Sequence, residues 1–126
     1  MRERIAVLRQ KIHGMNAHEY RDAIESRLPD CRVELATTPA EERELLHSAT
    51  IATGTTLAPA QLEAAEELSL FACVYAGTDH LDLAAFEEHD VAVTNAAGVH
   101  GPNIAEYVVG SMIAMARRFP RAWEQT

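Results

Sequence analysis

Apolar residues in this chain gather into short runs at positions 5–8, 33–36, 50–52, 70–75 and 91–94. Between the runs they recur every three or four positions. Short apolar runs separated by such periodic stretches read as strands alternating with helices. The last two runs are nearly continuous in apolar residues, the pattern of strands covered on both faces. The helical stretches carry start signals. Asn16-x-x-Glu19 and Thr38-Pro39-Ala40-Glu41 both have capping-box spacing, the second with proline at the first helical position. After the first box, Tyr20, Ala23, Ile24 and Leu28 fall on one face, and Pro29-Asp30 stops the helix. Pro59 opens a third helix with Leu62, Ala65 and Leu68 inward. Asp79 or Asp82 opens a fourth, with Leu83 and Phe86 inward. Serial β-α units with right-handed crossovers imply a doubly wound parallel sheet, here expected to be five-stranded and flavodoxin-like in the order 2-1-3-4-5.

A fifth helical stretch differs from the rest. With Pro102 at its start and Asn103-x-x-Glu106 as its expected cap, it runs to about Arg118. Ile104, Ala105, Val108, Val109, Met112, Ile113, Ala114, Met115 and Ala116 circle its axis. A helix apolar all round must be covered from several sides, and one small sheet covers only one. The expected organisation is therefore a sheet domain over residues 1–100 and a linking helix over 101–126, seeking another domain or another chain.

Composition narrows the class. The 126 residues are 48% apolar, sufficient for a globular core. Nineteen acids against eleven bases give a net charge of −8, which argues against a nucleic-acid partner. The bases are ten arginines and one lysine, Lys11. Acid excess with so little lysine matches a protein from a salt-loving organism, and also a generic acidic cytosolic protein. No apolar stretch reaches membrane-spanning length, and Met-Arg-Glu-Arg-Ile lacks the apolar core of a signal peptide. Two cysteines, Cys31 and Cys73, fit a reduced, cytoplasmic protein. The histidines at 13, 18, 47, 80, 89 and 100 form no pair with metal-ligand spacing, so no metal is expected.

The candidate chemistry lies in two loops. The run at 70–75 leads into Ala76-Gly77-Thr78-Asp79-His80-Leu81-Asp82, and the run at 91–94 leads into Asn95-Ala96-Ala97-Gly98-Val99-His100-Gly101-Pro102-Asn103. A buried strand delivering a loop with free backbone N–H groups is a place to hold an anion. Gly77 serves equally as a turn glycine. His80 beside Asp82 reads as part of a solvent-facing helix start. Thr53-Gly54-Thr55-Thr56 resembles a flavodoxin phosphate loop but follows the third strand, not the first. A receiver domain would need paired acids where Arg9-Gln10-Lys11 stands.

These residues resemble the D-isomer-specific 2-hydroxyacid dehydrogenases. The stretch from Ala76 to Asp82 is similar to the family's substrate loop, Val91–Gly98 to its following strand and loop, and Ile104-Ala105-Glu106-Tyr107 with Met115-Ala116-Arg117-Arg118 to its long linking helix. His13-Gly14, Thr38–Arg43 and Gly98–Glu106 resemble a haloarchaeal branch. The resemblance implies an oxidoreductase moving a hydride between NAD(P)H and a 2-keto or D-2-hydroxy acid. It implies a two-domain parent of which this chain holds the N-terminal, substrate-binding domain. Main-chain N–H groups of Ala76 and Gly77 would hold the substrate carboxylate; Thr78, His100 and Asn103 would face NAD or NADP. The family's arginine, glutamate and histidine fall beyond residue 126, so no catalytic residue is assigned. No G-x-G-x-x-G occurs, so the chain alone is expected to be inactive. A homodimer through helix 103–118 is also expected. Two alternatives stay open: a non-enzymatic binding or oligomerisation module derived from the family, and a fragment with no function of its own.

Overall fold

The computed structural model describes residues 2–9 and 14–124. Gln10, Lys11 and His13, used in the readings above, lie outside the described residues. Two compact units are present, Met1–Ala96 and Ala97–Thr126.

The first unit is a five-stranded sheet. Its strands are β1 (Arg4–Val7), β2 (Arg32–Leu35), β3 (Ile51–Gly54), β4 (Leu70–Cys73) and β5 (Ala92–Thr94). They pair in parallel in the order β2-β1-β3-β4-β5, with Ile5 opposite both Val33 and Ile51. This is the expected flavodoxin-like topology. Each strand is shifted or trimmed by a residue or two from its apolar run, because pairing and not hydrophobicity decides where a strand ends.

Side chains alternate across the strands. Ala6 and Leu8 join Ala52, Phe71 and Cys73 in the larger core, closed by Leu46 of α2 (Pro39–Ser48), Leu62 of α3 (Pro59–Ala64) and Phe86 of α4 (Leu83–Glu88). The rings of Phe71 and Phe86 stack with centroids 5.3 Å apart. Ile5, Val7 and Val33 point the other way and pack against Tyr20 and Ile24 of α1 (Ala17–Arg27). Both capping boxes form. The Asn16 side chain accepts from the Glu19 amide at 2.9 Å and the Thr38 side chain from the Glu41 amide at 3.2 Å, each with its reciprocal glutamate bond.

Three expectations are corrected. Leu28 and Leu83 are 45% and 49% exposed, Leu28 because it is the C-cap of α1 and Leu83 because it is the first residue of α4, at the helix end. β5 is not covered on both faces, whereas Leu70 and Ala72 on the second face of β4 are half-buried. Ala92 and Thr94, in register with Leu70 and Ala72, are exposed, because α1 packs over β2 at the far side of the sheet. In the run at 91–94 the larger Val91 and Val93 meet the core, and the open face carries only the small Ala92 and Thr94.

The second unit holds α5 (Gly101–Ala116) and α6 (Phe119–Trp123). Here the expected cap is overturned. His100 is the N-cap, without a side-chain cap bond, and Asn103 sits inside the first turn. Pro102 supplies the pre-set φ one turn earlier than the Asn103 reading required. α5 ends at Ala116 and not at Arg118. Arg118 adopts a left-handed backbone, φ 56°, which breaks the helix before α6 starts. No helix among the described residues is long and apolar enough to cross a membrane.

Candidate functional site

In an open parallel sheet all strands point their carboxyl ends to one edge, and ligands bind in the loops there. The switch point of this strand order lies between β1 and β3. Two loops of interest extend that edge: Thr55-Thr56 after β3 and Tyr75-Ala76-Gly77-Thr78 after β4.

The second loop is braced by its neighbour. The Ala96 amide donates to the Tyr75 carbonyl at 2.9 Å, and the Asn95 side-chain amide donates to the Ala76 carbonyl at 2.7 Å. The Leu81 amide closes a turn onto the Thr78 carbonyl at 2.9 Å. The carbonyls of Tyr75, Ala76 and Thr78 are thus used, whereas the main-chain N–H groups of Ala76 and Gly77 find no hydrogen-bond partner among the described residues. Adjacent unpaired amides on a braced loop are donors for an anion.

Gly77 is not explained by the turn. Only Gly14 and Gly98 among the glycines have positive φ, and a Cβ built on Gly77 meets nothing within 4 Å. The turn would accept a side chain.

His80 is not simply a solvent-facing helix start. It precedes α4, whose N-cap is Asp82, accepting from the Ala85 amide at 3.2 Å. The His80 Nε2 lies 2.6 Å from the Thr55 carbonyl in the β3 loop, and its ring meets Tyr75 edge-on at 5.5 Å.

Under the same edge, two polar groups are buried and satisfied. The Thr53 hydroxyl donates to the Ala72 carbonyl at 3.0 Å, so the Tyr20 hydroxyl 2.9 Å away is the donor to it. Glu42, 6% exposed, accepts from the Arg9 amide and from the Gln61 side chain, both at 2.9 Å, with the Arg9 Nε at 3.9 Å. A buried carboxylate so bonded ties the β1 loop to α2 and α3.

The structure therefore brings Ala76, Gly77 and Thr78 together on one braced loop of the first unit. His100 and Asn103 belong to the second unit, both exposed, in the N-cap and first turn of α5. Sequence reasoning missed the roles of Asn95, His80 and Glu42, since each acts on a residue distant along the chain. The only advance signal was the closeness of His80 and Asn95 to the two loops. Among the described residues no group of His, Cys, Asp or Glu is placed to hold a metal, and Cys31 and Cys73 are free thiols.

An open parallel α/β unit with a braced loop at its carboxyl edge defines the class. The family model described as D-isomer specific 2-hydroxyacid dehydrogenase, catalytic domain, matches residues 6–125, and the chain belongs to that family. A glyoxylate/hydroxypyruvate reductase of Arabidopsis thaliana is 36% identical over 55 residues, 44% of this chain and 17% of the relative. A D-isomer specific 2-hydroxyacid dehydrogenase family protein from Aeromonas salmonicida is 32% identical, with a TM-score of 0.72 over 99% of this chain and 39% of its own. An NAD-dependent formate dehydrogenase from Staphylococcus aureus, solved with NAD, has a TM-score of 0.71 over 97% of this chain and 41% of its own. At 19% identity that likeness concerns the fold. The chain thus spans well under half the length of these proteins.

Proposed function

We propose that the chain is the N-terminal, substrate-binding part of an NAD(P)-dependent 2-hydroxyacid dehydrogenase, and that the parent moves a hydride between the nicotinamide and C2 of a 2-keto or D-2-hydroxy acid. The observation that carries this is the braced loop with unpaired amides at Ala76 and Gly77. Two adjacent N–H groups suit a carboxylate, and hydrogen bonds to a charged acceptor are about twice as strong as neutral ones. A glycine that neither the turn nor the packing requires supports close approach of a ligand to the backbone.

The residues present do not make a nucleotide site by themselves. No glycine-rich fingerprint occurs, and the first turn of α5 offers only the exposed His100 and Asn103. In this reading Thr78, and separately His100 and Asn103, are cofactor-contact residues of the parent, α5 is the linking helix, and the 126 residues alone turn over no substrate. The acid excess supports a haloarchaeal-like, cytoplasmic source. The exposed Val108, Met112 and Met115 support a homodimer through helix 103–118.

Oxalate, an unreactive planar dicarboxylate, tests the loop. Titrated into the ¹⁵N-labelled chain, it is expected to shift the amides of Ala76 and Gly77 most. Gly77→Val should weaken this binding about ten- to hundredfold by blocking backbone approach, the equivalent of about 1.5–3 kcal/mol for one bond to a charged group. Its melting temperature should not change, since the new side chain enters open space. Shifts confined to other loops, or unaltered binding to the valine variant, would remove Gly77 from the site.

A further inference from the structure

The β4 loop is held on one side by Asn95 and Ala96 of the β5 end. On its other side His80 makes a contact. Its Nε2 is 2.6 Å from the Thr55 carbonyl, in the loop after β3, twenty-five residues away in sequence. A carbonyl oxygen only accepts, so Nε2 carries the proton and the neutral ring is the Nε2–H tautomer. Tyr75, one residue before Ala76, packs edge-on against the ring, 71° between planes, and limits its rotation.

The Cys73 sulfur lies 4.0 Å from the same nitrogen, an arrangement that at first suggests a thiol activated by a histidine. The bonding excludes it. Cys73 also points its thiol at the Thr55 carbonyl, 3.7 Å away. Thiol and imidazole are both donors converging on one acceptor, and a nitrogen already bearing a proton cannot take another from sulfur. Cys73 is 4% exposed, which fits a packing role.

We propose that His80 is a positioning residue, stapling the β3 loop to the β4 loop so that the Ala76 and Gly77 amides keep one orientation toward the substrate carboxylate. This rests on the reading of that loop as the carboxylate site. With the staple on one side and Asn95 on the other, the anion-holding segment is fixed at both flanks, and its amides need little reorganisation on binding.

The test uses the 126-residue chain as wild type, His80→Leu and His80→Gln. Glutamine keeps an N–H that can reach the Thr55 carbonyl, and leucine has none. In the leucine variant, amide exchange at Leu81 and Ala96 should quicken about tenfold and oxalate should bind about tenfold more weakly, the loss expected for one hydrogen bond. Exchange at Phe71 and Val74 should not change, and glutamine should restore most of both losses. Unchanged exchange at Leu81 and Ala96 in the leucine variant would overturn the staple. Equal losses in both variants would also overturn it, assigning the effect to ring packing on Tyr75. Should the leucine variant not fold, the ¹⁵N signals of wild-type His80 decide: Nε2 protonated supports the staple, Nδ1 protonated overturns it. Oxalate failing to bind the wild type would remove the carboxylate reading, whereas exchange and tautomer report on His80 independently.

Discussion

Phe71 in β4 and Met112 in α5 both come from strongly apolar stretches, yet Phe71 is fully buried and Met112 is 66% exposed. The difference is geometric. A strand needs cover on the face its large side chains use, and α3 and α4 supply it for Phe71. A helix apolar all round needs cover on every side. Within this chain Tyr107, Met112 and Met115 are 78%, 66% and 73% exposed. Large exposed apolar patches on proteins mark interaction surfaces. Hydrophobicity alone therefore reports that a residue type suits burial, and the fold decides whether the covering atoms come from the same chain.

The sharpest break of this comparison is a pair of substitutions. Phe71→Ala should cost about 3–5 kcal/mol, since it removes a stacked, fully enclosed ring. Met112→Glu should change stability by less than about 0.5 kcal/mol, as for an exposed site. Its effect should appear in sedimentation, where the wild type associates at high micromolar concentration and the glutamate variant does not. Equal association of the two would show that helix 103–118 is not the contact.

A smaller effect separates the two capping sequences. Asn16→Ala removes a formed capping box and should cost about 1 kcal/mol in urea unfolding. Asn103→Ala removes no cap, because Asn103 lies inside α5. Alanine is the better helix former by up to about 0.7 kcal/mol, so that variant should be neutral or slightly stabilised. A loss at Asn103 matching that at Asn16 would place the cap of α5 at Asn103 after all.

The smallest effect is electrostatic. The Thr37 hydroxyl, then the Thr37 amide, hold the Glu41 carboxylate below its ordinary value of 4.5, with desolvation opposing them and the Thr38 amide adding to them. A carboxylate with a depressed folded value contributes stability that is present above its unfolded value and lost as pH falls through the folded one. Glu41→Gln should therefore flatten the acid side of the stability curve below about pH 4.5, leaving the slope near neutrality unchanged. An acid limb as steep as in the wild type would assign that slope to other carboxylates.

The helix starts were legible because each signal is local. Asn16, Thr38 and Pro59 act on backbone within three residues, so spacing alone reveals them. The cap at Asn103 misled because Pro102 and Gly101 had already begun the helix, and a capping-box spacing recurs by chance. The loop from Ala76 to Thr78 was legible as a strand end followed by glycine. Its bracing was not, since Asn95 and Thr55 reach it only through the neighbouring strands.

What residue order determined by itself was the alternation of strand and helix, their parallel pairing and the position of the glycine loop after β4, because periodicity, caps and crossover handedness are short-range or chiral rules. Tertiary structure alone decided three other things. It left one face of β5 open, it spent the proton of His80 on a carbonyl twenty-five residues away, and it left the amides of Ala76 and Gly77 without partners while using carbonyls around them. Each depends on which atoms meet across the sheet, and that distance in space is not encoded by distance along the chain.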